Sequence, residues 1–443
     1  MKSARIGPLF LLAPAKGSVM TSQRPQKFAT RAVHAGIVPN PLTGAIAPDI
    51  SVAANYACRF GEIGFSAEGT DESKVSYAYA REGHPNGRQL EAKLAALEGG
   101  EDAVVFASGI GAISGLMLHL LDPGDHAVIS DISYAGAAEF VRGILRRKGV
   151  KATLADMSDA SDVERAITPR TRLVYAETPC NPVLKLVDIP AVARIAHAAG
   201  ARLAIDSTFA SPAVTRPLDL GADFVVHSLT KFIGGHADAL GGAVIGAKAD
   251  MRALRNEIGT HLGATISPFN AWLILRGIET LPIRMEAYAR SAKTVAGFLE
   301  RHPLVSWVRY PDLPSHPQFL LAQRQMTNGS GMICFALEDN AALGAVLEKE
   351  LSIFKYAASL GNSRSLILYC DTADLQRTTF QLPARLLQRY RKLAGDGFFR
   401  LSIGLEDADD LSADLAAALD AVRSRPARRA AKEGRRTRKE KRP

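Results

Sequence analysis

The rhythm of hydrophobic and polar positions changes twice along the chain. Between residues 87 and 246, apolar runs of strand length (DAVVFA, HAVIS, KATLA, RLVYAE, RLAID, DFVVHS and GGAVIG) alternate with stretches of helical spacing. In GRQLEAKLAALEGG, Leu90, Leu94 and Leu97 fall on one helical face, and Gly99-Gly100 ends the helix. A second helix is expected over 188–199. Seven strands alternating with helices predict an α/β unit, a mostly parallel sheet covered on both faces. Past residue 283 the pattern becomes a long helix (IRMEAYARSAKTVAGFLERH), a strand (MICFALE), a helix near 340–350 and an alternating stretch (FFRLSIGLE), which predict a smaller α+β unit. Residues 21–82 lack periodicity and are rich in turn residues, so an extended arm is expected there. The division is thus a loose extension (1–20), an arm (21–82), a large domain (83–282), an α+β domain (283–422) and a tail (423–443). No internal repeat is visible.

Composition adds limits. A hydrophobic content of 47% over 443 residues allows a sizeable core. No apolar run approaches the ~18 residues of a membrane-spanning helix. Cys58, Cys180, Cys334 and Cys370 lie far apart without a C-x-x-C pair, which argues against a zinc site or disulfide framework and for a reducing, cytoplasmic setting. No metal is expected. Residues 423–443 hold 11 Lys/Arg against 2 Asp/Glu, as much as the whole net charge of +9, so the body is near neutral and the tail is expected to be solvated rather than to bind nucleic acid. Near the other end, IGPLFLLAP resembles a short signal segment, but Pro8 and Pro14 interrupt it. The chain is expected either to start naturally at Met20 or to carry residues 1–19 loosely attached.

The candidate chemistry lies at strand ends. RLAID closes on Asp206, and DFVVHS is followed at once by Lys231 within HSLTKFIGGHAD. An aldehyde cofactor needs that pair: an amine to form a Schiff base, and a carboxylate to keep a pyridine nitrogen protonated so that the ring accepts electrons. A lysine after a strand is otherwise a solvated charge, and Ser228 and Thr230 are otherwise turn residues. As hydroxyls at alternate positions flanking Lys231, however, both can reach one phosphate. Gly109, in FASGIGAISGLM, sits where a strand turns into a helix, and helix-start N–H groups suit a phosphate dianion. In a parallel sheet ligands lie beyond the carboxyl ends of the strands, where Asn181, Asp206, Ser228 and Lys231 all fall. The implied cofactor is pyridoxal 5′-phosphate.

With these residues in place, the sequence from Phe28 to Val422 resembles the Cys/Met-metabolism family of pyridoxal-phosphate enzymes. The similar segments are YAYAREGHPNGRQLEAKLAALEGG, ASGIGA, SYAGA, ETPCNP, DSTFASP, HSLTKFIGGHAD, SLGNSRSL and RLSIGLEDADDL. The resemblance implies the aspartate-aminotransferase-like fold, fold type I. It implies that Lys231 forms the Schiff base and shuttles protons, Asp206 pairs with the pyridine nitrogen, and Tyr134 stacks on the ring, where it would otherwise be a core tyrosine. It places the phosphate on the backbone of Gly109 and Ile110 with Ser228 and Thr230, sets Asn181 at the ring hydroxyl and makes Thr208 part of the same wall. Arg400 and Ser359 would hold the substrate α-carboxylate. Tyr79 and Arg81 resemble a pair inserted into a neighbouring subunit's site, which implies a homodimer or homotetramer with shared sites. His236, Asp238, His34 and His197 are expected to be structural.

The departures from the family pattern bear on the substrate. His84-Pro85-Asn86 replaces Asn-Pro-Thr, Ala135-Gly136 follows the stacking tyrosine where methionine γ-lyases carry Gly-Cys, and Ala78 and Ala358 stand where acidic residues occur in relatives that handle cystathionine. LYCDTADLQ (368–376) replaces a histidine-bearing segment and brings Asp371 and Asp374. If either carboxylate faces the site, it would hold a cationic distal group such as that of canavanine; otherwise both are turn residues or helix caps. The leading expectation is a lyase eliminating a γ substituent from an L-amino acid. A γ-replacement enzyme or a β-lyase is the alternative, and a nucleic-acid-binding protein on a retained fold is the alternative of another class.

Overall fold

The computed structural model describes residues 26–66, 77–377 and 381–424. The expected N-terminal extension and nearly all of the basic tail lie outside the described residues. All seven expected strands form: β1 (Asp102–Phe106), β2 (His126–Ser130), β3 (Lys151–Ala155), β4 (Thr171–Glu177), β5 (Arg202–Asp206), β6 (Phe224–Ser228) and β7 (Gly242–Gly246). They make one sheet in the order β1-β7-β6-β5-β4-β2-β3. Only β7 runs against its neighbours. Parallel neighbours need a crossover helix, whereas β6 and β7 are joined by a helix-free loop, 229–241, that turns straight back. That loop carries Lys231. β1 points the same way as β6, so the ends of β1, β4, β5 and β6 open on one edge. The central strands are buried on both faces, as their continuous Val/Ile/Ala/Leu runs require.

A five-stranded sheet lies C-terminal to it, with β8 (Val305–Arg309), β9 (Met332–Leu337), β10 (Lys355–Tyr356), β11 (Leu366–Asp371) and β12 (Gly397–Ser402) in the order β10-β11-β12-β9-β8. Helices Leu281–Arg301 and Ala408–Arg423 pack together on it, closing a core that includes Val295, Leu299, Phe335, Phe399 and Leu415. The fold is thus a mostly parallel seven-stranded unit followed by a smaller α+β unit.

Two local expectations differ from the structure, and a third segment received no element in advance. The arm is not wholly extended: Phe28–His34 is a helix, fixed by Lys93, whose buried amine donates to the carbonyls of Ala32 at 2.8 Å and Val33 at 2.9 Å. The helix expected near 340–350 is two short ones, Asn340–Gly344 and Leu347–Glu350. The segment LYCDTADLQ, for which no element was expected, spans the end of β11 and most of the helix Thr372–Arg377.

Arg284 ties the long helix to the loop behind Lys231. Its guanidinium is 4% exposed and donates to the carbonyls of Phe232 (2.7 Å), Ile233 (3.2 Å) and Gly277 (2.8 Å). Arg284→Met fills much of the volume but leaves three buried acceptors without these donors. It should destabilise the chain by about 3 kcal/mol or more, read as a lower urea midpoint. An unchanged midpoint would show that the three carbonyls find other donors.

Candidate active site

At the open edge of the large sheet lies a cavity of about 190 Å³. Its walls include Gly109, Ile110, Tyr134, Asn181, Asp206, Thr208, Ser228, Thr230 and Lys231, nine of the residues expected from sequence. Helix Gly109–Leu120 begins on one side, capped by Ser108 Oγ, which accepts from the N–H of Gly111 at 3.2 Å. The N–H groups of Gly109 and Ile110 have no intrahelical acceptor at that positive end. Gly109 is required where it stands, because a Cβ there would lie 2.7 Å from that of Ser228. The close approach brings the helix start beside the hydroxyl-bearing end of β6, and a phosphate fits between them.

Asp206 ends β5 and is 4% exposed. Its Oδ1 accepts from the N–H (3.0 Å) and the hydroxyl (2.5 Å) of Thr208, and Oδ2 accepts from the hydroxyl of Tyr175 at 3.1 Å. Thr208 Oγ1 in turn accepts from the N–H of Ser228 at 2.9 Å, so Thr208 joins β5 to β6 across the wall. Beside Asp206, in register on the neighbouring strand, stands Glu177. Sequence reasoning passed over it as the last letter of a strand. The available signal was that β4 ends in a carboxylate at the level where β5 does. Glu177 is 2% exposed and accepts from the N–H of Tyr134 at 2.6 Å and of Asn181 at 2.9 Å. Burial, and then the charge of Asp206, push its carboxyl well above the usual range; burial also raises Asp206, against the lowering effect of the Thr208 bonds. Neither carboxylate has an ion-pair partner among the described residues. Two uncompensated buried carboxylates facing one cavity fit a ligand that brings positive charge, as a protonated pyridine ring does.

Lys231 is only partly accessible, and its amine donates to Ser359 Oγ at 2.8 Å. Burial first, and then the positive charge of Arg400, hold its pKa below the ordinary lysine value, which favours the neutral, nucleophilic amine. Arg400, on β12 and 7% exposed, donates to Asn181 Oδ1 at 2.6 Å and to the carbonyl of Ser359 at 3.2 Å. Ser359 thus touches both cations, and its backbone holds a φ of 78°, uncommon for a residue other than glycine. Removing the charge in Arg400→Gln should raise the Lys231 pKa. The rate at which cofactor-free protein captures pyridoxal phosphate should then fall off at a higher pH than in the wild type as the solution is acidified. A limb that stays put, or moves down, would show that Arg400 does not act on the amine.

Tyr134 is 44% exposed at the cavity wall, which sets aside the core-tyrosine alternative. Of the histidines expected to be structural, His236 bonds the carbonyl of Gly234, and His197 pairs with Asp223. His84 accepts from the N–H of Gly87 and bonds the carbonyl of Ile266. Four candidates lie away from this cavity. Arg81 donates to the carbonyl of Thr260 at 2.6 Å and stacks on Tyr79, 45% exposed, with 5.4 Å between guanidinium carbon and ring centre. Asp371 accepts from the N–H of Ala373 at the start of a helix, and Asp374 pairs with Arg377 on the surface at 2.8 Å. The two aspartates therefore take the turn and helix-surface positions that were the alternative to substrate recognition.

Residues 29–420 match the family described as Cys/Met metabolism PLP-dependent enzymes. The chain is 41% identical over 398 residues to an L-methionine gamma-lyase of Porphyromonas gingivalis, covering 89% of this chain and 97% of that protein. It is 40% identical over 395 residues to a canavanine gamma-lyase of Pseudomonas canavaninivorans, covering 88% and 96%. Among solved structures, cystathionine gamma-lyase from Lactobacillus plantarum complexed with L-serine superposes with a TM-score of 0.80 at 34% identity, covering 90% of this chain and all of that one. The chain belongs to the Cys/Met-metabolism family of pyridoxal-phosphate-dependent enzymes, and pyridoxal 5′-phosphate is its cofactor.

Proposed function

We propose that this protein is a lyase that removes a γ substituent from an L-amino acid. The observation that carries the reading is the Lys231 amine, held by Ser359 Oγ with no carboxylate partner among the described residues, at a cavity that also presents Asp206 and lies beside Arg400. When bound, pyridoxal phosphate supplies an aldehyde that captures amines and a ring that withdraws electrons from the substrate α carbon. Asp206 would hold a proton on the ring nitrogen. The N–H groups of Gly109 and Ile110 and the hydroxyls of Ser228 and Thr230 would bind the phosphate, Tyr134 would cover the ring, Asn181 would meet its hydroxyl, and Thr208 keeps Asp206 in place. Arg400, with Ser359, grips the substrate α-carboxylate. Lys231 Nζ takes the α proton, a β proton follows, and the hydroxyl of Tyr134 protonates the departing γ group. The γ group leaves with the proton it has gained, and the eliminated product, once released, takes up water to give a 2-oxo acid and ammonia.

The same groups can serve β-elimination or γ-replacement, so the products decide. Two of the similar proteins are named for elimination from methionine and canavanine, and another, 39% identical over 394 residues, is a cystathionine gamma-synthase, so the products and not the names separate elimination from replacement. Neither Asp371 nor Asp374 lies at the cavity of this chain, so we do not assign a cationic distal group to them. A panel of γ- and β-substituted amino acids, scored for oxo acid, ammonia and condensation product, tests the reading. Condensation without oxo acid would reverse it in favour of a synthase.

We also infer that the active enzyme is a dimer, or a pair of dimers, with shared sites. Tyr79 and Arg81 sit outside their own chain's cavity, and the arm beside them exposes Val38 (76%), Leu42 (88%), Ile46 (80%), Phe60 (109%) and Phe65 (110%). An apolar arm so open to water is suited to lie on a second copy. The described cysteines carry no disulfide, and no described helix is long and apolar enough to cross a membrane. A cytoplasmic enzyme is the reading these features support.

A further inference from the structure

We propose that Glu177 is a positioning residue of this enzyme. It fixes the backbone from which Tyr134 and Asn181 project, and it adds a second negative charge beside Asp206 that helps keep the cofactor ring nitrogen protonated. The inference rests on the cofactor assignment of the cavity and deepens it.

One side chain makes both contacts. Its two oxygens each take one N–H, from Tyr134 at 2.6 Å and Asn181 at 2.9 Å, and these residues belong to segments 43 and 4 positions away in sequence. The carboxylate therefore sets the spacing between the tyrosine and the asparagine that border the cavity. Those two bonds do not account for a charge. A carboxylate 2% exposed carries a desolvation cost that an ion pair ordinarily offsets, and the buried Glu98 shows the ordinary solution by bonding His227. Glu177 instead stands in register with Asp206. The charged or titratable groups around the pair include Arg400, Tyr134, Tyr175, Cys180 and, beside Asp206, His227. Burial and the charge of Asp206 hold the Glu177 carboxyl well above the usual range, so Glu177 becomes an anion when a positive charge is brought to the pair, and a protonated ring nitrogen supplies it.

The test uses holoenzyme loaded with pyridoxal phosphate labelled with ¹⁵N in the ring, whose chemical shift reports protonation. Glu177→Gln keeps the size, removes the charge and leaves one oxygen to accept where two did. Glu177→Asp keeps the charge and shortens the reach. In Glu177→Gln the ring nitrogen should lose its proton at a lower pH than in wild type. In Glu177→Asp the titration should stay near wild type, while the circular dichroism of the bound cofactor's visible band weakens as Tyr134 and Asn181 loosen. A purely structural residue would alter stability or turnover and leave the ring titration unmoved in both variants, and that result overturns the proposal. If Glu177→Gln does not fold, Glu177→Ala replaces it as the neutral variant: loss of the ring proton at lower pH than in wild type is expected, and an unmoved ring titration overturns the proposal. Lys231→Ala serves as the control for the underlying assignment: a wild-type visible band in that variant would mean that the cavity has been misread, whatever Glu177 does.

Discussion

Lys231→Ala will lose turnover by roughly 10³-fold or more, because it removes both the amine that captures the cofactor and the base that moves the α proton. The visible absorbance of the lysine-bound cofactor should disappear with it. The fold should survive. Lys231 follows β6 on a loop, its amine bonds Ser359 Oγ alone among the described residues, and the neighbouring turn is held independently by Arg284 through the carbonyls of Phe232 and Ile233. Far-ultraviolet circular dichroism and urea midpoint should therefore stay near wild type. Normal turnover in this variant would remove the lysine from the chemistry altogether.

Mixing two inactive proteins should restore activity if the sites are shared. Arg81→Ala damages the contribution that a subunit makes to its neighbour, and Lys231→Ala damages a subunit's own site. A mixed dimer then contains one site with both lesions and one with neither. After free exchange of equal amounts, half the dimers are mixed and each has one intact site, so activity should recover to about one quarter of wild type. The recovery should depend on subunit exchange, shown by differently tagged chains eluting together. Exchange without recovery would place Arg81 in the function of its own chain, where it now bonds Thr260 and stacks on Tyr79.

The sequence disclosed most where one residue type answers one physical need. The seven strands were legible because β-branched and apolar runs buried on both faces look alike wherever they occur, and Asp206, Ser228 and Lys231 were legible because each stands at or just beyond the end of such a run. The Gly109 turn was legible from the same junction of strand and helix. Glu177 was not, because its importance comes from a parallel register that places it beside Asp206, and register is a property of two strands rather than one. The bond from Arg400 to Asn181 joins residues 219 positions apart across the two sheets, a distance that no local pattern spans. The helix in the arm was hidden for a related reason. Its anchor is Lys93, on a distant helix, and an arm residue sequence alone gives no sign of that partner. Asp371 and Asp374 misled in the opposite sense: acidic residues in an unusual segment attract a substrate reading, yet in place one holds a turn and the other pairs with Arg377.

The central claim is elimination at the γ carbon, and the product formed in heavy water tests it most directly. Holoenzyme should be given L-methionine, L-canavanine and an O-acyl-homoserine without an added thiol in D₂O, and the products identified by mass and NMR. The account predicts ammonia and 2-oxobutanoate with solvent deuterium on C3 and C4, since the β carbon exchanges its proton and the γ carbon, having lost its substituent, takes one up. Absence of 2-oxobutanoate from all three, with product appearing only when a thiol is supplied, would contradict it.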